Sequence, residues 1–231
     1  MESLDLLANN LANSGTAGYK RDQEFYGLYT SGDAEGGSDA PASTLPVVER
    51  QWTDFSPGVT QTTGNPMDVA LSGSGFFVVN GPNGPLYTRN GSLQTLPTGE
   101  LATADGYALR DTNGTSIQVA SSKPIEILPD GSVKQDGKLL GQIELATFKS
   151  TDSLTKAGNA CFRNSDPKNP PVQATSVEVQ QGKLEGSNVP VAEAAMRLVG
   201  VMRQFEMLQK AIGVSSDMDT KSIQEVARVG S

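Results

Sequence analysis

Two stretches of this chain carry apolar residues at helical spacing, and the long stretch between them alternates as strands do. Near the start Leu4, Leu7 and Leu11 step by three and four residues, and near the end Val191, Ala194, Leu198, Val201, Phe205, Leu208 and Ile212 do the same. Such steps place the side chains on one helical stripe that seeks an apolar partner. Residues 1 to about 13 therefore predict a helix, stopped by Ser14-Gly15-Thr16 and Gly18. It opens in mid-pattern without a cap, so the chain is expected to begin inside a helix. The C-terminal helix is expected after Gly186, with Ser187 or Asn188 as cap, Pro190 in the first turn and Glu193 complementing the dipole. Gly213 and Ser215-Ser216-Asp217 are expected to interrupt it before a second helical piece, Thr220 to Val229.

From Leu45 to about Phe148 the pattern is one of short alternating runs. Strands are predicted at Val47 to Phe55, Asp68 to Leu71, Gly75 to Asn80, Leu86 to Arg89, Ser92 to Leu96, Tyr107 to Arg110, Ser116 to Ala120, Ile125 to Leu128, Ser132 to Gln135 and Gln142 to Phe148. Between them stand Asn83-Gly84, Asn90-Gly91, Thr98-Gly99, Asp105-Gly106, Asn113-Gly114, Asp130-Gly131 and Asp136-Gly137. Pairs of this kind reach the positive φ that tight hairpins require. Residues 31–44 hold no aliphatic side chain larger than alanine and read as a linker. Residues 149–175 lose the alternation and carry Asp166-Pro167-Lys168-Asn169-Pro170-Pro171, so they read as an extended surface arm, followed by a returning strand at Ser176 to Gln180.

The expected fold is mainly β, an antiparallel β domain inserted between N- and C-terminal α-helical segments that form a coiled-coil-type assembly region. Its parts are residues 1–30 as a helical assembly segment, 31–44 as linker, 45–148 as β domain, 149–186 as arm and returning strand, and 187–231 as the second helical segment.

Composition narrows the function. The net charge of −8 and absence of a Lys and Arg cluster argue against nucleic-acid phosphates as partners. Apolar runs such as Phe76 to Val79 are far too short to span a bilayer, and the first residues lack the regions of a secretory signal. With no histidine, the commonest general base and metal ligand are both missing. The single cysteine, Cys161, reads as a small apolar residue beside Phe162. Trp52 reads as part of the β core.

Motifs that suggest chemistry have plainer explanations. Gly73-Ser74-Gly75 starts like a dinucleotide fingerprint, but Val78 occupies the third glycine's place and a strand follows where a helix is needed. Asp217-Met218-Asp219 with Glu225 resembles a calcium loop, yet Lys221 stands where a ligand belongs. Asn90-Gly91-Ser92 and Asn113-Gly114-Thr115 fit a glycosylation pattern and are equally explained by hairpin turns. No catalytic, cofactor or metal residue is nominated.

The run Leu7-Ala8-Asn9-Asn10-Leu11-Ala12-Asn13-Ser14-Gly15-Thr16-Ala17-Gly18-Tyr19-Lys20-Arg21 resembles the N-terminal signature of the bacterial flagellar rod and hook proteins. Further matches are Pro66 to Leu71, Gly73-Ser74-Gly75-Phe76-Phe77-Val78-Val79, Tyr87-Thr88-Arg89-Asn90-Gly91-Ser92, Leu184-Glu185-Gly186-Ser187-Asn188-Val189 and Arg203 to Met207. They come in family order and span nearly the whole chain. Family members usually carry further helical turns before the first motif, so the N-terminal helix is expected to be cut short here.

The resemblance implies a subunit of the basal-body rod in the periplasm, exported by the flagellar type III apparatus without a cleavable signal. Its terminal helices would form an inner tube with other copies and with neighbouring rod or hook axial proteins, and the β domain would sit outside. The phrases around Arg203 and Leu184 look closer to the proximal-rod (FlgF) type, with a distal-rod (FlgG) subunit as the alternative. From a different class, a secreted β-domain adhesin oligomerised by its helices also fits the pattern. The stripes have a plainer reading too, since an amphipathic helix often packs on its own domain.

Overall fold

The computed structural model describes residues 2–30, 44–120 and 123–229. The chain divides into two units, one made of Met1–Leu11 with Pro190–Ser231 and the other of Ala12–Val189. The linker expected at 31–44 lies outside the described residues, except for Thr44, which opens a strand.

The first unit is helical. Helix α1 spans Glu2–Ala12, matching the N-terminal stripe, and α2 spans Val191–Val229. At 39 residues α2 is about 58 Å long. It runs through Gly213 and Ser215-Ser216-Asp217 without the interruption expected there, because one glycine costs a helix only about 1 kcal/mol against alanine. Pro190 immediately precedes it, Glu193 lies in its first turn, and Arg197 pairs with Glu193 at 2.7 Å. Neither expected cap is used. The Asn188 side chain bonds elsewhere, and Ser187 Oγ accepts from Val189 N–H at 3.2 Å. Along the stripes Leu4, Leu7, Leu11, Leu198 and Val201 are half-buried and Ala194 is buried, while Val191, Phe205, Leu208 and Ile212 are exposed.

The second unit is antiparallel β. Its first strands, β1 (Asp22–Thr30) and β2 (Thr44–Thr53), pair only with each other, as a ribbon with a bulge at Phe25/Tyr26. Part of the segment expected as helical, 1–30, is thus a strand: its Phe25-Tyr26 and Leu28-Tyr29 pairs, separated by Gly27, favour extended backbone. The chain continues through β3 (Thr60–Thr62), β4 (Val69–Ser72), β5 (Phe76–Gly81), β6 (Gly84–Thr88), β7 (Leu93–Thr95) and β8 (Leu101–Thr103). Next come β9 (Ile125–Ile127), β10 (Ser132–Gln135), β11 (Lys138–Gln142) and β12 (Leu145–Thr147). Strands β13 (Leu154–Gly158), β14 (Cys161–Asn164), β15 (Val172–Gln173), β16 (Glu178–Gln181) and β17 (Lys183–Glu185) complete the unit.

The main sheet has the order β13-β14-β6-β5-β12-β15, a second has β11-β10-β9, and β16-β4, β17-β3 and β7-β8 form two-stranded pairs. Residues 149–175, expected as an arm, therefore supply three strands of the main sheet. The reason lies in Leu154, Cys161 and Phe162, all buried, while Pro167, Pro170 and Pro171 fall in the connection between β14 and β15 and interrupt no strand. Tyr107 to Arg110 and Ser116 to Ala120, expected as strands, reduce to isolated bridges such as Val79↔Leu109 and Arg110↔Ser116. The strand expected over Gln142 to Phe148 breaks at Ile143-Glu144, where Ile143 N–H turns to Gly131 O.

Strand β5 shows why the unit has two cores. Phe77 and Val79 face an aliphatic cluster with Leu101, Leu109, Val133 and Ile143, while Phe76 and Val78 face an aromatic one with Tyr87, Leu154 and Phe162. Alternation sends successive side chains to opposite faces, so this all-apolar run is buried on both. In the aromatic cluster Phe55 meets Phe162 at 4.9 Å and Tyr87 meets Phe148 at 4.8 Å, edge to face. Trp52, expected in the core, is 46 % exposed. It stands on β2, in the two-stranded β1-β2 ribbon.

Candidate functional site

The motif segments that are far apart in sequence meet at one point, where the β unit begins and ends. Gly18 N–H donates to Glu185 O at 2.8 Å, and Asn188 N–H donates to Tyr19 O at 3.4 Å. Arg21 N–H donates to Asn188 Oδ1 at 2.8 Å, and Asn188 Nδ2 donates to Asp54 O and Ser56 O at 2.8 and 3.1 Å. The entering and leaving segments are thus joined by backbone and side chain alike, in a neck.

At its centre lies a buried ionic tie. Lys20 is 0 % exposed, and its Nζ donates to Glu185 Oε1 at 2.6 Å and to Ser56 O at 2.7 Å. The same carboxylate accepts from Gly58 N–H at 3.0 Å through Oε1 and from Arg89 Nη1 at 3.1 Å through Oε2. Arg89 also donates to Gly73 O at 2.6 Å and lies 5.6 Å over the Phe76 ring. Burial pulls the Lys20 ammonium below its ordinary range, and Glu185 pulls it back. Desolvating these charges costs several kcal/mol each, which geometry of this quality can offset.

Glycines let the segments close. A Cβ on Gly18, which has φ of +67°, would lie 2.2 Å from Asn90 N. One on Gly58 would lie 2.0 Å from Gly186 O. No side chain fits either place. Beside the tie, Lys156 Nζ sits 4.1 Å over the Tyr19 ring and pairs with Asp22 at 2.7 Å. Burial, with Asp22 second, pushes the Tyr19 hydroxyl up to about 12, so it stays protonated.

Of the residues singled out from the sequence, Gly18, Tyr19, Lys20, Arg89 and Asn188 converge on this neck. Ser187 turns locally, as described. Phe76, Phe77 and Tyr87 are core residues. Thr88 Oγ1 donates to Ala160 O at 2.8 Å and accepts from Asn90 N–H at 3.0 Å. Gly75 packs its backbone against Val177, and Gly91 against Val69. On α1, Asn9 is exposed and Asn10 buried; Asn13, just past its end, accepts from Thr16 N–H at 3.1 Å. Sequence reasoning passed over Glu185, Asp54, Ser56 and Gly58. For Glu185 the signal was its place inside the Leu184 to Asn188 phrase.

Lys20 and Glu185 are both fully enclosed by the protein. Cys161 is also closed off, its thiol pushed up to about 11 chiefly by burial. Among the described residues no group of side chains could hold a metal ion, and no helix is long and apolar enough to cross a membrane.

Residues 70–138 match the family model described as the flagellar hook protein FlgE/F/G D1 domain, and residues 180–225 match that of the flagellar basal body rod FlgEFG protein C-terminal region. The chain is 30 % identical over 240 residues to the flagellar basal-body rod protein FlgG of Bacillus subtilis, covering 93 % of this chain and 90 % of the relative. It is 32 % identical over 224 residues to the rod protein FlgF of Escherichia coli, covering 91 % and 86 %. With the FlgF of Caulobacter vibrioides it shares 28 % over 230 residues, covering 98 % and 92 %. These relatives belong to a family of structural proteins, not enzymes. The chain belongs to the flagellar basal-body rod family and is a structural subunit of the rod.

Proposed function

We propose that this subunit builds the rod by burying the apolar stripes of its terminal helices against those of adjacent copies and of neighbouring rod or hook axial proteins, in a coiled-coil-type seam. The carrying observation is that Phe205, Leu208 and Ile212 are 49, 62 and 70 % exposed along one stripe of α2. Burying such a side chain is worth roughly 1.5–3 kcal/mol, and contiguous exposed apolar surface marks an interaction face. The β unit sets the lateral spacing outside this seam. The protein works in the periplasmic part of the basal body and reaches it through the flagellar type III apparatus. The phrases at Leu184 to Asn188 and Arg203 to Met207 support a proximal, FlgF-type position. The 30 % identity to a FlgG supports the distal rod as a second reading.

The test is Leu198→Asp combined with Phe205→Asp in motile cells. Rods are expected to be absent and swimming lost, with the variant still made at normal levels. Intact rods carrying the variant would overturn the seam. Suppression of a proximal-rod or a distal-rod deletion by the wild-type gene separates the two positions.

A further inference from the structure

The neck has a direction. Gly18 bonds to Glu185, Tyr19 to Asn188 and Arg21 to Asn188, so residue numbers rise together along both segments and the two run side by side the same way. The N-terminal approach reaches this pair at its Gly18 end, and the C-terminal departure leaves at its Asn188 end. In a parallel pair those are opposite ends. Tension applied between the two ends of the chain therefore slides the segments past each other and loads every bond at once. An antiparallel pair entered and left at one end would instead unzip bond by bond.

Sliding is further opposed by side chains. It would separate Lys20 from Glu185 and Ser56 in a closed environment, leaving the lysine charge buried without those partners. Glu185 cannot follow Lys20, because β17 is held on its other side by the β3 ladder, Lys183↔Thr62 to Glu185↔Thr60, and by Arg89. Gly58 lets its backbone close on Gly186, and Gly18 lets the first segment close on Arg89 and Asn90, which packs both sides of the clamp tightly.

We propose that residues 18–21 and 185–188 form a shear-loaded clamp that bears tension between the two chain ends and shields the sheets behind it. The clamp belongs to the single chain, so it stands or falls apart from the helical seam.

The full-length chain, held by handles at its two ends in an optical trap, tests it. A second attachment through the turns at Asn83 and Asp136 loads other strands. The rupture force of the β unit through the ends is expected to exceed that through the turns by roughly two-fold or more, because forced unfolding follows the barrier along the pulled direction. Glu185→Gln is expected to lower the force through the ends and leave that through the turns unchanged. Equal or lower force through the ends in the unmodified chain would overturn the clamp, as would a Gln variant that weakens both directions alike or neither. If Glu185→Gln fails to fold, the two-direction comparison in the unmodified chain decides alone.

Discussion

Lys20 and Glu185 are the residues on which the β unit closes, and their chemistry sets its sensitivities. Lys20→Met would keep the bulk and remove the charge, leaving Glu185 buried with Arg89 as its single cationic partner. Breaking a buried pair from one side costs about 3–5 kcal/mol, so the urea midpoint of the β unit is expected to fall markedly, with no compensating change in slope. Asp54 contributes to the acid side, as do Asp111 and Asp130, whose carboxyls are also held low. Burial pushes the Asp54 carboxyl up, but hydrogen bonds from Ser56 and Arg21 outweigh this and hold it below the usual 3.8. A carboxyl depressed in the folded state adds stability above 3.8 and loses it as pH falls through the folded value. Urea midpoints measured at about pH 5 and about pH 3 should therefore drop, and Asp54→Asn should reduce that drop. The matched phrases contain Lys20 and Glu185, but their pairing does not show in the sequence. Lys20 and Glu185 stand 165 residues apart, and each alone reads as surface charge, because lysine and glutamate are almost never fully buried unless paired.

At the scale of elements, legibility follows how local the deciding interaction is. The turns were readable: six of the seven glycines in the turn pairs adopt positive φ, and Asp136-Gly137 does so at both residues. Gly91 is the exception. Its place is forced by Val69 O, 1.7 Å from where a Cβ would stand, a contact between residues 22 positions apart that no dipeptide rule sees. Strands β13 to β15 were missed for a similar reason. Their partners β6 and β12 lie elsewhere in the chain, and the prolines at 167, 170 and 171 hid the buried Leu154 and Phe162. For α2 the error ran the other way, as local breakers were given more weight than they have. A Cβ at Gly213 would meet nothing within 4 Å, so Gly213→Ala is expected to stabilise the helix by about 1 kcal/mol. Circular dichroism at the helical minimum, followed through a thermal ramp, would record a higher helical content and a later loss. No gain would mean the helix is already broken there in solution.

The chain comprises a β unit closed on two cores and a helical unit, in which most of the described side chains of α2 are exposed. Regions with few buried apolar contacts open at lower free energy than packed cores, and isolated helices draw little stability from propensity alone. Denaturant titration of the dilute chain should thus give two transitions. The helical signal is expected to fade first, and the fluorescence of Trp52, the single tryptophan, is expected to follow at higher denaturant. Coincident curves would show one cooperative structure. The expectation of a mainly β chain with helical elements at either end agrees with the element order, while the neck that ties residues 18–21 to 185–188 was not foreseen.

That neck also imposes an order of events on folding. A chain appearing N-terminus first presents Lys20 long before Glu185, and for the length of the whole β unit the lysine has no partner to close on. Local hairpins such as β5-β6 can form early, since their ends are near in sequence. The tie between residues 20 and 185 closes a loop that spans the β unit, so it is expected to form after the local hairpins. The chain therefore cannot lock while any part of residues 20–185 is still inside a narrow passage, and completion of the fold registers that the unit has fully emerged.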